Sequence, residues 1–252
     1  MQFSGKRVLV TGGNSGTGAH MAKAFADEGA KVTITGRREE ALKNVASHSE
    51  NISWTIADSS SEEAVVNTFQ TYGPFDIVIA NAGVADSAPI KRYALEDWNR
   101  VIGINATGVF LTVREAIKQM DTADNKDKIG RIIIVSSMLG VRGAPYASAY
   151  AASKHATIGL VKSVAYEIAK SNITINAICP GYIDTEMTDR TIENIMSKTG
   201  CSRDKAIAAI TEFNPQDKLI TCDEVTHTAF YLASDGASTI NGQAHMLCGG
   251  GH

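Results

Sequence analysis

The stretch Arg7-Val-Leu-Val-Thr11-Gly12-Gly13-Asn14-Ser15-Gly16-Thr17-Gly18 reads as a buried strand entering a glycine-rich turn. Its apolar start, without polar alternation, marks a strand covered on both faces, as in a parallel sheet. Glycine allows positive φ and close backbone approach. A helix beginning just behind such a turn presents unpaired N–H groups to a pyrophosphate. The spacing is G-x-x-x-G-x-G, not the G-x-G-x-x-G of the general dinucleotide fingerprint. The plain alternative, a tight turn, is opposed by the strand before the loop and the helical pattern after it.

Outward from this stretch, apolar runs alternate with helical patterns. Strands are expected at residues 7–11, 31–35, 52–57, 75–80, 131–136, 173–178 and 244–247. Helices are expected at residues 16–28, 38–46, 62–72, 95–120, 149–170 and 223–233. The alternation predicts an α/β fold with a doubly wound parallel sheet of Rossmann type, roughly seven strands with helices on both faces. Ligands of such sheets sit at the carboxyl ends of the strands. No repeat, low-complexity stretch or linker interrupts residues 1–252, so a single domain is expected. The exception to the alternation is residues 184–214, with amphipathic pieces at 191–198 and 203–213. An excursion at a strand's carboxyl end is placed to act as a substrate lid.

Composition narrows the function. At 44% hydrophobic and 20% charged residues, the 252-residue chain has enough apolar side chains for a full core. A net charge of −3 gives no basis for nucleic acid or an anionic membrane as partner. Cys179, Cys201, Cys222 and Cys248 form no C-x-x-C and no zinc spacing. Cys179 and Cys248 lie in apolar runs and read as small core residues, and this cysteine usage fits a reducing cytosol. His20, His48, His155, His227, His245 and His252 do not cluster, so no metal is expected. No apolar run approaches the ~20 residues that span a bilayer. Met1-Gln-Phe-Ser-Gly-Lys-Arg7 shows no signal-peptide layout, and a cytoplasmic location is the expectation.

The other informative stretch is Ser148-Ala-Tyr150-Ala-Ala-Ser-Lys154-His155. A phenol and an ammonium four residues apart on a helix share one face. A tyrosine with pKa near ~10 is a workable acid, and a neighbouring cation favours its phenolate. Such a pair can pass a proton to a carbonyl while holding a cofactor. The ordinary alternative is an exposed pair on a surface helix.

Taken with the glycine loop, the sequence resembles the short-chain dehydrogenase/reductase family in its single-domain, ketoreductase-like form. Thr11-Gly12-x-x-x-Gly16-x-Gly18 matches the family's cofactor loop, in which Asn14, Ser15 and Thr17 also lie. Asn81-Ala82-Gly83 matches a second cofactor motif. Asn105, Ser137, Tyr150 and Lys154 match the catalytic set in identity and order. Pro180-Gly181, Ile183 and Thr185 match the segment beside the nicotinamide. Thr17 and Ala80 depart from the family's common Ile and Asn without removing a reacting group. The resemblance implies that Tyr150 donates the proton and Lys154 anchors the nicotinamide ribose while lowering the tyrosine's pKa. It implies that Ser137 steadies the substrate oxygen and Asn105 holds a water that links Lys154 to solvent. His155 reads as structural.

Charge bears on the cofactor. NAD-specific sites place a carboxylate at the end of the second strand, against the ribose 2′-hydroxyl. Here that position is Gly36, followed by Arg37 and Arg38, whose forks suit a 2′-phosphate. NADP(H) is therefore preferred, with NAD(H) as the alternative. Arg37 and Arg38 have a second reading, as surface residues paired with Glu39 and Glu40. Asp58 has two readings as well, an adenine contact by resemblance or a helix cap before residues 59–63.

The expected substrate pocket draws on Ser137, Met138, Leu139, residues 143–146 with Tyr146, Tyr182 and Met187. Its mixed, mainly apolar lining suits a medium-sized ketone or a 3-oxoacyl group. Asn176-Ala-Ile-Cys-Pro-Gly181 and Cys248-Gly249-Gly250 are similar to 3-oxoacyl-thioester and polyketide ketoreductases. Lys128 is one basic residue suited to an acidic carrier protein, but Ser171-Asn172 stands where a second is expected. The leading expectation is thus a free small-molecule ketone and secondary alcohol, with acyl-carrier-protein or CoA thioester reduction as the alternative. A non-enzymatic NAD(P)-sensing regulator on the same fold is the alternative of another class. The resemblance also implies a homotetramer paired through helices 95–120 and 149–170 and through the last strand. Ala152, Ala156, Gly159 and Ser163 on the second of these permit close approach.

Overall fold

The computed structural model describes residues 1–251 apart from 123, 124, 126 and 127, so His252 lies outside the described residues. Seven parallel strands form one sheet: β1 (Arg7–Val10), β2 (Lys31–Gly36), β3 (Ile52–Ile56), β4 (Ile77–Ala80), β5 (Gly130–Val135), β6 (Ile173–Pro180) and β7 (Ala244–Leu247). Their order is β3-β2-β1-β4-β5-β6-β7. Chain direction across the sheet therefore reverses between β1 and β4, the switch point where dinucleotides bind.

Alternate β1 side chains enter different cores. Val8 and Val10 pack with Met21, Phe25, Ile34 and Leu232, while Leu9 packs with Phe69, Val78, Ile132 and Val161. This period of two follows from the pleat. The first core lies under α1 (Gly16–Asp27), α2 (Glu39–Ala46) and α9 (Cys222–Ala233). The second lies under α3 (Glu62–Tyr72), α5 (Gly108–Met120) and α6 (Ser148–Glu167).

Two elements differ from the sequence pattern. The helix expected over residues 95–120 is α4 (Leu95–Ile102), a π-helical turn over Gly103–Thr107, and then α5. The turn places Asn105 inward, fully buried, where its side chain replaces backbone partners (below). The excursion contains α7 (Glu186–Thr199) and α8 (Arg203–Thr211). α7 starts five residues before the expected piece at 191, directly after Thr185. It stops at Gly200, whose φ of +69 makes a left-handed C-terminal cap. The two helices share a small core of Ile192, Ala206 and Ile210.

Candidate active site

The loop after β1 is shaped by backbone contact. A Cβ on Gly12 would lie 2.8 Å from Ala82 Cα, and one on Gly18 would lie 2.4 Å from the Gly12 carbonyl oxygen. Neither position has room for a side chain. Asn81 and Thr11 clamp the same loop to β4. Asn81 Nδ2 donates to the Thr11 and Gly12 carbonyls at 3.1 and 3.3 Å. The Asn81 and Ala82 N–H groups donate to Thr11 Oγ1 at 3.0 and 3.1 Å. This clamp was not visible in the sequence, because its partners are 69 to 71 residues apart. Ser15 precedes α1 without a side-chain capping bond, and the first turn carries no acid. The N–H groups of that turn are thus open to an anion, and the site fits a pyrophosphate.

At the end of β2, a Cβ on Gly36 would meet Asn14 Oδ1 at 2.6 Å. The position lacks an acid, and a side chain there would have to displace Asn14. With the Asn14 amide oxygen turned toward Arg38, it accepts from Nε and Nη2 at 3.1 Å each. Arg37 Nη1 lies 3.9 Å from Asp58 Oδ2. Glu39 and Glu40 do not engage either arginine in a salt bridge, since Lys43 takes both at 3.0 and 2.9 Å. Asp58 accepts from the Ser60 N–H and hydroxyl at 2.9 and 2.7 Å. The cap of α3 is Ser61, which accepts from the Ala64 N–H. Asp58 therefore organises a local turn, and these bonds with Arg37 hold its carboxyl below the usual range against the effect of burial.

The β5 and α6 residues converge. Ser137 follows β5 and opens a 3-10 turn over Met138–Gly140, its Oγ accepting from the Leu139 N–H at 3.1 Å. Ser136 is engaged elsewhere, 2.9 Å from Thr157 Oγ1. Tyr150 and Lys154 stand one turn apart on α6, with Lys154 Nζ 5.6 Å from the Tyr150 ring centroid. Lys154 is 3% exposed, and its Nζ donates to the Val135 carbonyl at 2.9 Å. Burial pushes its pKa down to about 8, opposed by the Cys179 thiol nearby. Burial also pushes Cys179 up to about 11.

Tyr150 lies beside Ser137. Its pKa is raised by burial, with Ser137 hydrogen bonding as the opposing influence, and Lys154 is not among the causes. The ammonium is committed to a carbonyl and is itself desolvated, so it does not pull the phenol down in this structure.

Asn105 occupies the π turn. Its Oδ1 accepts from the Val84 N–H at 2.9 Å, and its Nδ2 donates to the Val84 carbonyl at 2.9 Å and to Ser153 Oγ at 3.1 Å. Ser153 in turn donates to the Tyr150 carbonyl at 2.7 Å. Asn105 thus ties the segment after β4 to α6. Gly83 stands between, where a Cβ would meet Asn105 Oδ1 at 3.4 Å and Lys154 Nζ at 3.7 Å. Ser153, fully buried, is a member of this group that sequence reading missed.

The end of β6 completes the group. Pro180 is the last residue of β6, and Gly181 N–H donates to the Leu247 carbonyl at 2.9 Å. Ile183 bridges Ile220 in parallel. Thr185 leads into α7, and a Cβ on Gly16 would touch its methyl at 3.6 Å, so the glycine loop and the excursion adjoin. Of the expected pocket residues, Met138 is buried, Leu139 and Tyr182 are half-buried or nearly so, and Met187 and Tyr146 are exposed. Tyr146 takes φ +64, unusual for a non-glycine residue, with its carbonyl accepting from the Ala88 N–H at 3.0 Å. His155 turns to its own helix, Nδ1 lying 2.9 Å from the Ala151 carbonyl. Among the described residues no group of three His, Cys, Asp or Glu side chains is arranged to hold a metal.

A Rossmann-type parallel sheet with this glycine loop and this Ser-Tyr-Lys grouping defines an oxidoreductase of nicotinamide dinucleotides. The short chain dehydrogenase family model matches residues 6–195, and the chain belongs to that family. It is 34% identical over 251 residues to the 3-oxoacyl-[acyl-carrier-protein] reductase FabG of Rickettsia prowazekii, covering 99% of this chain and 98% of that protein. It is 33% identical over 257 residues to a D-beta-hydroxybutyrate dehydrogenase of Rhizobium meliloti, with 98% of each chain covered. Among solved structures it is similar to an actinorhodin polyketide ketoreductase variant with NADPH, at TM-score 0.89 and 31% identity over 99% of this chain and 98% of that one. It is also similar to levodione reductase, at TM-score 0.88 and 30% identity, with 98% of each chain covered. The chain is therefore an enzyme, which sets aside the non-enzymatic regulator. No helix among the described residues is long and apolar enough to cross a membrane.

Proposed function

We propose that this enzyme interconverts a ketone and a secondary alcohol with NADP(H), using Tyr150 as acid and base. The observation that carries this reading is the convergence of Ser137, Tyr150 and Lys154 behind β5, opposite the clamped glycine loop. When bound, the nicotinamide supplies the hydride. The open N–H groups at the start of α1 would hold the pyrophosphate, and Asn81, Ala82, Gly83, Pro180, Gly181, Ile183 and Thr185 would flank the rest. Tyr150, whose pKa burial raises, would give its hydroxyl proton to the substrate oxygen during reduction. Ser137 would hydrogen-bond the same oxygen and stabilise its developing charge. Lys154 would turn from the Val135 carbonyl toward a ribose and the phenol, where its charge would favour the phenolate needed for oxidation. Asn105 would keep α6 and the segment after β4 in register around that lysine.

For the cofactor, Gly36 lacks the acid that selects NAD(H), and Lys43 holds Glu39 and Glu40, which leaves Arg37 near Asp58 and Arg38 beside Asn14. Both features favour a 2′-phosphate. Comparing kcat/KM for NADPH and NADH measures this; a clear NADH preference refutes it.

The substrate reading remains a free ketone, handled by one domain with residues 184–214 as the lid. The thioester alternative is favoured by the Rickettsia relative, and Lys128 is exposed. A panel of ketones, diketones, 3-oxoesters and 3-oxoacyl thioesters, read by NADPH consumption, separates the two. Tyr150→Phe should retain NADPH binding and lose turnover by roughly a thousandfold or more, within the range of a lost acid–base group. Near-normal turnover would remove Tyr150 from its role. We further propose a cytoplasmic homotetramer. On α6 a Cβ at Gly159 would meet nothing within 4 Å, and Phe110 and Tyr166 are exposed on α5 and α6. A monomer by light scattering at micromolar concentration would overturn the assembly.

A further inference from the structure

Arg142 lies on the loop between Ser137 and Tyr150. Its guanidinium stands 4.5 Å from the Phe213 ring centroid, and Nη1 donates to the Gly251 carbonyl at 3.2 Å. Three segments distant in sequence meet there: the loop joining the two reacting residues, the end of the α7–α8 excursion, and residues 248–251.

The tail is shaped for this meeting. Gly249 and Gly250 take φ of +60 and +95. A Cβ on Gly249 would lie 1.9 Å from Asn214 Oδ1, and one on Gly251 would lie 1.6 Å from the Phe213 carbonyl oxygen. The tail backbone therefore rests directly on Phe213 and Asn214. Asn214 is buried and held on both sides, with Nδ2 donating to the Lys218 carbonyl at 2.7 Å and Oδ1 accepting from the Gln216 N–H at 3.0 Å. The start of the excursion is fixed separately, by Thr185 against Gly16, and the Ile183–Ile220 bridge ties the chain before α7 to the chain after α8. Between the two ends, α7 and α8 lean mainly on their own small core.

We infer that Arg142 is a positioning residue for substrate binding, pinning the far end of the α7–α8 excursion to the loop that carries Tyr146 and leads to Tyr150. The inference rests on residues 184–214 being the substrate lid. A guanidinium suits the task, because it stacks its face on an aromatic ring while donating from its edge. Lysine keeps the charge and a donor but loses the plane. Without the pin, the fraction of molecules with the excursion in its binding position falls, and apparent substrate affinity falls by the same factor. The glycine loop is untouched, so cofactor affinity is unchanged.

The test uses the full-length Arg142→Ala, Phe213→Leu, the double variant and Arg142→Lys. Three quantities are read: ketone KM, NADPH Kd, and amide hydrogen exchange across α7 and α8. Arg142→Ala should raise ketone KM about tenfold, the scale of one cation–π contact and its hydrogen bond, and Phe213→Leu should raise it less, because the Arg142–Gly251 hydrogen bond stays. The double variant should add nothing further, since both changes break one contact. Arg142→Lys should fall between Arg142→Ala and the parent. Exchange in α7 and α8 should quicken while β1 to β6 and NADPH Kd stay as they were. Unchanged exchange in Arg142→Ala, additive effects, or an equal loss of NADPH affinity would each overturn the pin. Tyr150→Phe run alongside separates the two readings. If it turns over normally, the chemistry is wrong and the exchange data still judge the pin; if it is inactive while Arg142→Ala matches the parent throughout, the pin alone fails.

Discussion

The carboxyl edge of the sheet is built in two ways. Over β1 and β4, the chain is packed so closely that Gly12 and Gly18 cannot carry a Cβ, and at the end of β2 Gly36 packs against the Asn14 side chain. Over β6 and β7, the surface is an excursion whose α7 and α8 share a core of three fully or nearly buried side chains, with close glycine packing confined to the place where Gly249 and Gly251 meet Asn214 and Phe213 beside the Arg142 contact. A region formed by backbone contact tolerates little change, because no rotamer can relieve a clash. A region held by side-chain contacts can change its lining while its anchors persist. The cofactor side is therefore the constrained half of the proposed site, and the substrate side the adjustable half.

The sharpest way to break this comparison is Gly18→Ala. The new methyl would meet the Gly12 carbonyl and the Asn81 amide, and the loop would have to open. We expect a stability loss of roughly 3 kcal/mol, the upper part of the overpacking range, together with loss of NADPH binding. A variant that binds NADPH normally, by fluorescence titration, would show that the loop is not backbone-limited.

Asn105→Ala comes next, at the junction of the two halves. It removes three hydrogen bonds from a fully buried amide and leaves the Val84 N–H and carbonyl unpaired. The expected cost is roughly 2–3 kcal/mol, or about 5–10 °C in Tm for a chain of this size. A shift under about one degree by calorimetry would mean that the π turn does not depend on this side chain.

The smallest effect is expected from Met187→Ala on α7. Met187 is 46% exposed, so stability should stay within about 0.5 kcal/mol of the parent. Ketone KM should move by about threefold, the loss of a partly exposed apolar contact, with NADPH Kd constant. A large fall in Tm would place α7 in the constrained half and dissolve the distinction.

Much of this was legible in local pattern. The β–α alternation and the four-residue spacing of Tyr150 and Lys154 follow from periods of two or 3.6 residues, and the glycine loop from residue type between a strand and a helix, all of which a chain displays whatever it later touches. The breaks in pattern were harder. An apolar run over residues 95–120 reads as one helix, because nothing in its period marks Gly103–Thr107 as a π turn. That turn fits Asn105 to the Val84 backbone, 21 residues away. Likewise Arg37 and Arg38 adjoin Glu39 and Glu40 in sequence, yet Lys43 sits on the helical face that reaches both acids.

By itself, then, the sequence determined the parallel α/β architecture and singled out the glycine loop and the Tyr150–Lys154 pair as candidates, since all three are written in short-range spacing. Only the tertiary structure decided how those residues are tuned and held. Burial raises Tyr150, Lys154 is bonded to the Val135 carbonyl, Asn81 clamps the glycine loop, and Arg142 joins the excursion to the tail. Each of these depends on desolvation or on contact between segments far apart along the chain, and neither quantity exists until the sheet has assembled.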